Sequence, residues 1–205
     1  VENTSNLGGG SCYEQETFDE IAKVAKSLGC ATHIDGARIF NAAIATGVDV
    51  SRMCEHYDSV SICFSKGLGA PVGSVLVGSS AFIARAHRWR KMFGGGWRQA
   101  GLLAAACLHA LDNHVERLID DHQRAQRIAK MLNDLPMFTV DLDTVQTNMI
   151  YAETNGPASE VVEKYARHGV DMFDLSANRI RVVVHLHITD EDVDRFEAIS
   201  HELFG

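Results

Sequence analysis

Two side chains in this sequence have the types and placement to do chemistry together: the carboxylate of Asp35 and the amine of Lys66. Asp35 lies in the run His33-Ile34-Asp35-Gly36-Ala37-Arg38, and Lys66 in the run Cys63-Phe64-Ser65-Lys66-Gly67-Leu68-Gly69-Ala70-Pro71. Each follows a short apolar, strand-like stretch, and in open α/β sheets ligands bind beyond the carboxyl ends of strands. A lysine amine forms an imine with an aldehyde, while a carboxylate keeps a pyridine nitrogen protonated so that the ring can accept electrons. Pairing with such a pyridinium would also account for an aspartate after an apolar strand. Taken singly, Asp35 also reads as a turn residue and Lys66 as a solvated loop residue.

The elements that must position these groups follow from periodicity. Apolar residues at helical spacing predict a helix over 17–28, ended by Gly29. Strand-like runs cover 30–34, 59–64 and 73–78, with a helical stretch over 37–46 between the first two. Strand, helix, strand is the rhythm of α/β architecture, and near-continuous apolar strands suit a sheet covered on both faces. Helices are expected over 80–91, 98–111 and 115–132, with Gly94-Gly95-Gly96 between the first two and Pro136 after the last. Beyond it come short strands near 138–140, 148–152, 170–173 and 180–184. A helix lies over 158–168 and another over 191–203, begun by Thr189-Asp190. This βαβ-like end reads as a small second domain. The segment 7–11 reads as a flexible glycine turn.

Composition narrows the classes. The chain has 205 residues, 46% of them hydrophobic and 22% charged, with a formal charge of -8 and a pI near 5.6. That acidity argues against nucleic acid or anionic membranes as partners. No apolar run approaches the roughly 18 residues needed to cross a bilayer. Cys12, Cys30, Cys54, Cys63 and Cys107 are odd in number and lack CxxC spacing. They point to a reducing, cytoplasmic compartment and to no metal site, with Cys30, Cys63 and Cys107 as small core hydrophobes. His185 and His187 alternate after a Val-rich strand without a third ligand, which favours a structural role. Asp190-Glu191-Asp192 suits the acidic first turn of a helix.

Longer words carry a resemblance. The run around Asp35 and the run Ser65-Lys66-Gly67-Leu68-Gly69-Ala70-Pro71-Val72-Gly73-Ser74 are joined by Arg90-Lys91-Met92-Phe93-Gly94-Gly95-Gly96-Trp97-Arg98-Gln99-Ala100-Gly101. With Glu2-Asn3-Thr4 and Ile180-Arg181-Val182-Val183-Val184-His185, they resemble the low-specificity L-threonine aldolases over the whole chain. The resemblance implies an α/β fold: part of the large domain of the pyridoxal-phosphate-dependent, aspartate-aminotransferase-like fold type I, plus a small α+β C-terminal domain. The large domain has a mostly parallel sheet with helices on both faces. Residues 1–112 would be the C-terminal portion of that domain, and 113–205 a connecting helix and the small domain.

The resemblance further implies pyridoxal 5'-phosphate as cofactor, bound to Lys66, with Asp35 at the ring nitrogen. Arg38 would bind the ring oxygen or the substrate carboxylate, and Arg181 would clamp that carboxylate. Lys91 and Arg98 match basic residues that approach the cofactor across a subunit contact. His33, two residues before Asp35 and on the same strand face, is expected to orient it. The implied reaction is retro-aldol cleavage of a β-hydroxy-α-amino acid, such as L-threonine or L-allo-threonine, to glycine and an aldehyde. A related β-eliminating lyase, a hydroxymethyltransferase and a non-catalytic assembly module remain alternatives. The family has a substantial stretch before the position of Glu2, with a phosphate-binding turn and a ring-stacking group. The expected partners are therefore a missing N-terminal fragment, further copies of the chain as a dimer or tetramer, or both.

Overall fold

The computed structural model describes all 205 residues, Val1–Gly205. The chain divides into two compact units: Val1–Thr4 with Cys12–Arg117, and Ser5–Ser11 with Leu118–Gly205.

The first unit begins with α1, Gln15–Ser27, which buries Phe18 and Ala22 one turn apart. Gly29, at a φ of 73°, takes the left-handed conformation that ends the helix and turns the chain toward the sheet. Strand β1 (His33–Gly36) is followed by α2 (Ile39–Thr46) and a five-residue α3 (Val50–Cys54). Next come β2 (Ser59–Cys63), β3 (Ser74–Gly78), α4 (Ser80–Met92) and α5 (Gly101–Asn113). The sheet order is β1-β2-β3, parallel between β1 and β2 and antiparallel between β2 and β3. Val1–Asn3 extends it beyond β1: Asp35 N donates to Val1 O at 2.8 Å, and Asn3 N donates to Asp35 O at 3.0 Å.

Because side chains alternate along a strand, β1 and β2 have two different faces. Ile34, Val60 and Ile62 join Phe18, Ile39, Ala42 and Met53 in one apolar cluster. Burial of a side chain such as Ile34 is worth roughly 1.5–3 kcal/mol. The opposite face carries His33, Asp35, Ser59, Ser61 and Cys63. Strand β3 is exposed along its whole length, so covering on both faces does not extend to it. Cys30, expected in the core, is exposed instead, because α1 ends before it and β1 starts three residues after it.

The second unit sets α6 (Leu118–Asp134), α7 (Ala158–Ala166) and α8 (Asp190–Phe204) against a four-stranded antiparallel sheet. Its strands are β4 (Phe138–Thr139), β5 (Met149–Thr154), β6 (Phe173–Ser176) and β7 (Arg179–Val183), ordered β4-β5-β7-β6. Both β5 and β6 run antiparallel to β7, so they run parallel to each other with β7 inserted between them. The βαβ rhythm of the sequence is thus a split unit.

Ala125, Ile128, Ala129 and Leu132 form the inner stripe of α6, at the spacing of one helical face. Tyr165 is fully buried and its hydroxyl lies 2.8 Å from Ser200 Oγ, which in turn bonds Phe196 O at 2.7 Å. Helix α8 opens with a capping box between Thr189 and Asp192. The glycine turn is fixed rather than flexible. Tyr151 donates its hydroxyl to Asn6 O at 2.7 Å, and Thr147 donates to Gly10 O at 2.7 Å. Gly10 has a φ of +83°, and a Cβ there would lie 2.5 Å from Thr147 Oγ1, so only glycine fits.

His122 is buried in α6, and burial pushes its imidazole down to about 4, against a smaller upward pull from Asp121. A histidine with a depressed native value keeps its full contribution above its unfolded value near 6.5 and loses it as pH falls toward 4. The second unit should therefore lose stability between pH 6.5 and pH 4 with uptake of a proton on unfolding. Denaturant titrations across that range, on the wild type and on His122→Gln, check this: the substitution should flatten the pH dependence.

Candidate active site

The position of the site rests on the register of β1 against β2. At the entry to both strands Asp58 Oδ2 accepts from Thr32 N at 2.8 Å and from Thr32 Oγ1 at 2.9 Å. Asp58 N in turn lies 3.0 Å from Thr32 Oγ1 and 3.1 Å from Thr32 O. These bonds hold the Asp58 carboxyl below the usual carboxylate range, the Thr32 backbone N–H contributing most. With the entries fixed, His33 pairs with Ser59 and Asp35 with Ser61.

Asp35 is exposed and lies within β1 rather than in the turn after it. Its Oδ1 accepts from Ala37 N at 3.1 Å, which fixes the carboxylate at the start of the turn into α2 and leaves its other oxygen without a protein partner. Lys66 is exposed in the loop that leaves β2, and its amine makes no hydrogen bond or ion pair. Because β1 and β2 are adjacent and parallel, the carboxylate and the amine belong to the same, carboxyl edge of the sheet.

His33 shares the face of Asp35, but its hydrogen bond goes to Ser59: Nδ1 and Ser59 Oγ are 2.8 Å apart. The strand pairing makes Ser59 the partner, and sequence reasoning missed it because the two residues are 26 apart. Arg38 occupies the N-cap of α2, half-buried, in the turn that follows Asp35. Lys91 lies in the last turn of α4 and Arg98 follows in the loop, both exposed, with no bond to Asp35 or Lys66. Arg181 belongs to the second unit, on β7. There its guanidinium lies 5.4 Å from the Phe173 ring centre and its Nε is buried without a partner. His185 and His187 stand edge to face, with His187 N donating to His185 Nδ1 at 3.3 Å, a local turn contact.

Comparison with known proteins identifies the class. The putative L-allo-threonine aldolase of Listeria monocytogenes EGD-E superposes with a TM-score of 0.85 at 19% identity, over 98% of this chain and 60% of that one. A putative aromatic amino acid beta-eliminating lyase/threonine aldolase from Exiguobacterium sp. 255-15 gives 0.85 at 20% identity, over 99% and 61%. The fold is that of the fold type I enzymes, as expected from the sequence. The model of the beta-eliminating lyase family matches residues 1–155, and the chain belongs to that family.

It is 46% identical to the probable low-specificity L-threonine aldolase 2 of Arabidopsis thaliana, across 98% of this chain and 59% of that protein. To the low specificity L-threonine aldolase of Escherichia coli K12 it is 39% identical over 198 residues, across 97% and 57%. The resemblance read from the motif words is thus borne out, and the chain spans somewhat more than half the length of these relatives.

The cofactor of this family is pyridoxal phosphate. The residues present fit it: an unpaired primary amine and a carboxylate with a free oxygen stand on one edge of one sheet. Small side chains, Ser61 and Cys63, follow Ser59 along the same face of β2. Replacing Asp58 by Ala should lower the melting temperature and weaken cofactor retention together, because it frees the β1–β2 register. Calorimetry and cofactor titration of the same preparation check this, and unchanged retention in a destabilised variant would rule out the register as its cause.

Proposed function

We propose that this chain carries the lysine-bearing part of an active site for retro-aldol cleavage of β-hydroxy-α-amino acids, such as L-threonine and L-allo-threonine, to glycine and an aldehyde. The observation that supports it most is the free Lys66 amine and the exposed Asp35 carboxylate at the carboxyl edge of neighbouring parallel strands. Pyridoxal phosphate, when bound, supplies the electron sink needed to break a bond at the substrate α-carbon. In this reading Lys66 holds the cofactor through its amine, and Asp35 keeps a proton on the ring nitrogen. His33, on the same strand face as Asp35, has its ring held by Ser59.

Arg38 meets the ring oxygen or the substrate carboxylate, a task that suits a planar guanidinium. Arg181 enters through the resemblance alone, as a second guanidinium for the carboxylate. Holding the carboxylate fixes which bond at the α-carbon stands perpendicular to the ring, and orientation of that kind decides which bond breaks. Lys91 and Arg98 belong to the reading as basic groups offered to a neighbouring subunit.

Assembly as a homo-oligomer agrees with exposed Trp89, Met92, Phe93, Trp97 and Leu102 on the first unit. Five cysteines that form no disulfide agree with a cytoplasmic location. No helix is long and apolar enough to cross a membrane. The family's description favours one second reading, elimination at the β-carbon.

Products separate the two. Incubation with L-threonine, without tetrahydrofolate, should yield glycine and acetaldehyde; ammonia and a 2-oxo acid in their place would establish elimination. Lys66→Ala should abolish the cofactor adduct trapped by borohydride reduction, read by mass spectrometry. Asp35→Asn should keep the adduct and lower turnover by about 10²–10³-fold, the usual effect of removing one preorganised electrostatic contact.

A further inference from the structure

The lysine loop is held by its own backbone and by the helix that follows α4. Phe64 N donates to Gly73 O at 3.0 Å, Ala70 N to Phe64 O at 2.9 Å, and Gly69 N to Lys66 O at 2.8 Å. Phe64, Leu68 and Ala70 point inward and are buried, while Ser65 and Lys66 stay exposed. One carbonyl in this turn, that of Leu68, lies two residues after Lys66 and meets a ring from 46 residues away: His114 Nδ1 is 2.7 Å from Leu68 O. A carbonyl can only accept, so Nδ1 carries the proton. His114 follows the last residue of α5, and the His109 ring stands edge-on to it with centroids 5.2 Å apart, which fixes its plane. The same helix reaches the far end of the loop, where Cys107 Sγ lies 3.8 Å from Val72 O.

We propose that His114 is a positioning residue for Lys66: its Nδ1–H, held by α5, fixes the Leu68 carbonyl and thereby the direction in which the Lys66 amine leaves the loop. The cofactor role of Lys66 in this inference rests on the function proposed above. Removing the imidazole takes this donor from the Leu68 carbonyl, in an inward turn of the loop. The turn then relaxes toward other donors or water, and the residue two positions back moves with it.

Asn and Asp at position 114 have nearly the same shape and opposite hydrogen-bonding capacity, since the amide donates and the carboxylate only accepts. The test compares the purified wild type with His114→Asn, His114→Asp and His114→Ala. One readout is the acylation rate of Lys66 by a small amine-reactive reagent in cofactor-free protein, with exposed Lys23 on α1 as the internal standard. The other is the affinity for pyridoxal phosphate, scored as borohydride-trapped adduct on Lys66.

His114→Asn should match the wild type in both. His114→Asp and His114→Ala should change the Lys66:Lys23 rate ratio by about fivefold, and weaken cofactor retention by about five- to tenfold, the factors expected from one lost hydrogen bond. Equal behaviour of Asn, Asp and Ala would overturn the assignment. A wild type that traps no cofactor on Lys66 would overturn the function proposed above instead, and the acylation ratios would still decide the role of His114.

Discussion

The parallel pairing of β1 with β2 is the constraint on which the rest of the structure depends. A shift of one residue in that ladder would turn Ile34 or Val60 out of the apolar cluster and turn Asp35 or Ser59 into it. The cluster cannot accept an unpaired carboxylate, so the register that buries the isoleucine is the same one that presents the aspartate. Thr32 and Asp58 reinforce it from the strand entries, where each supplies what the other lacks. Chemistry at the carboxyl edge is therefore a consequence of packing at the opposite face. Stability and site geometry share one origin here.

The lysine loop shows how a reactive amine is kept available. Lys66 lies between buried Phe64 and buried Leu68, in a turn closed by three backbone hydrogen bonds. The backbone on either side is immobilised while the side chain meets no protein partner. An amine held this way pays little ordering entropy when a ligand arrives, because the loop has already been ordered by folding. Asp35 follows the same plan on a smaller scale, since one oxygen is engaged by the next turn and one is left free.

Much of this was legible in the sequence, and the reasons for the gaps are physical. Helices long enough to repeat an apolar stripe, such as α1, α6 and α8, announced themselves by spacing. The five residues of α3 did not, because a single turn contains no repeat. Asp35 and Lys66 stood out through the words around them, yet neither the Thr32–Asp58 contact nor the His33–Ser59 bond could be read. Both depend on which residue of one strand faces which residue of the next. Strand β6 falls at Phe173–Ser176, a few residues later than its apolar run suggested, and a register irregularity near Asp174 and Ser176 accompanies the shift. His114 gave no local signal at all, since its partner is a main-chain carbonyl, which has no sequence signature.

The seven residues Ser5–Ser11 have a further consequence. They belong to the second unit although Thr4 before them and Cys12 after them belong to the first. A single scission between Arg117 and Leu118 would consequently not yield two self-sufficient pieces. The N-terminal piece would keep a glycine turn whose anchors, Thr147 and Tyr151, had gone with the other piece. The C-terminal piece would carry two hydroxyls that had lost their acceptors. Recombination between relatives that swaps the chain at that peptide bond must therefore bring the matching turn along with the graft.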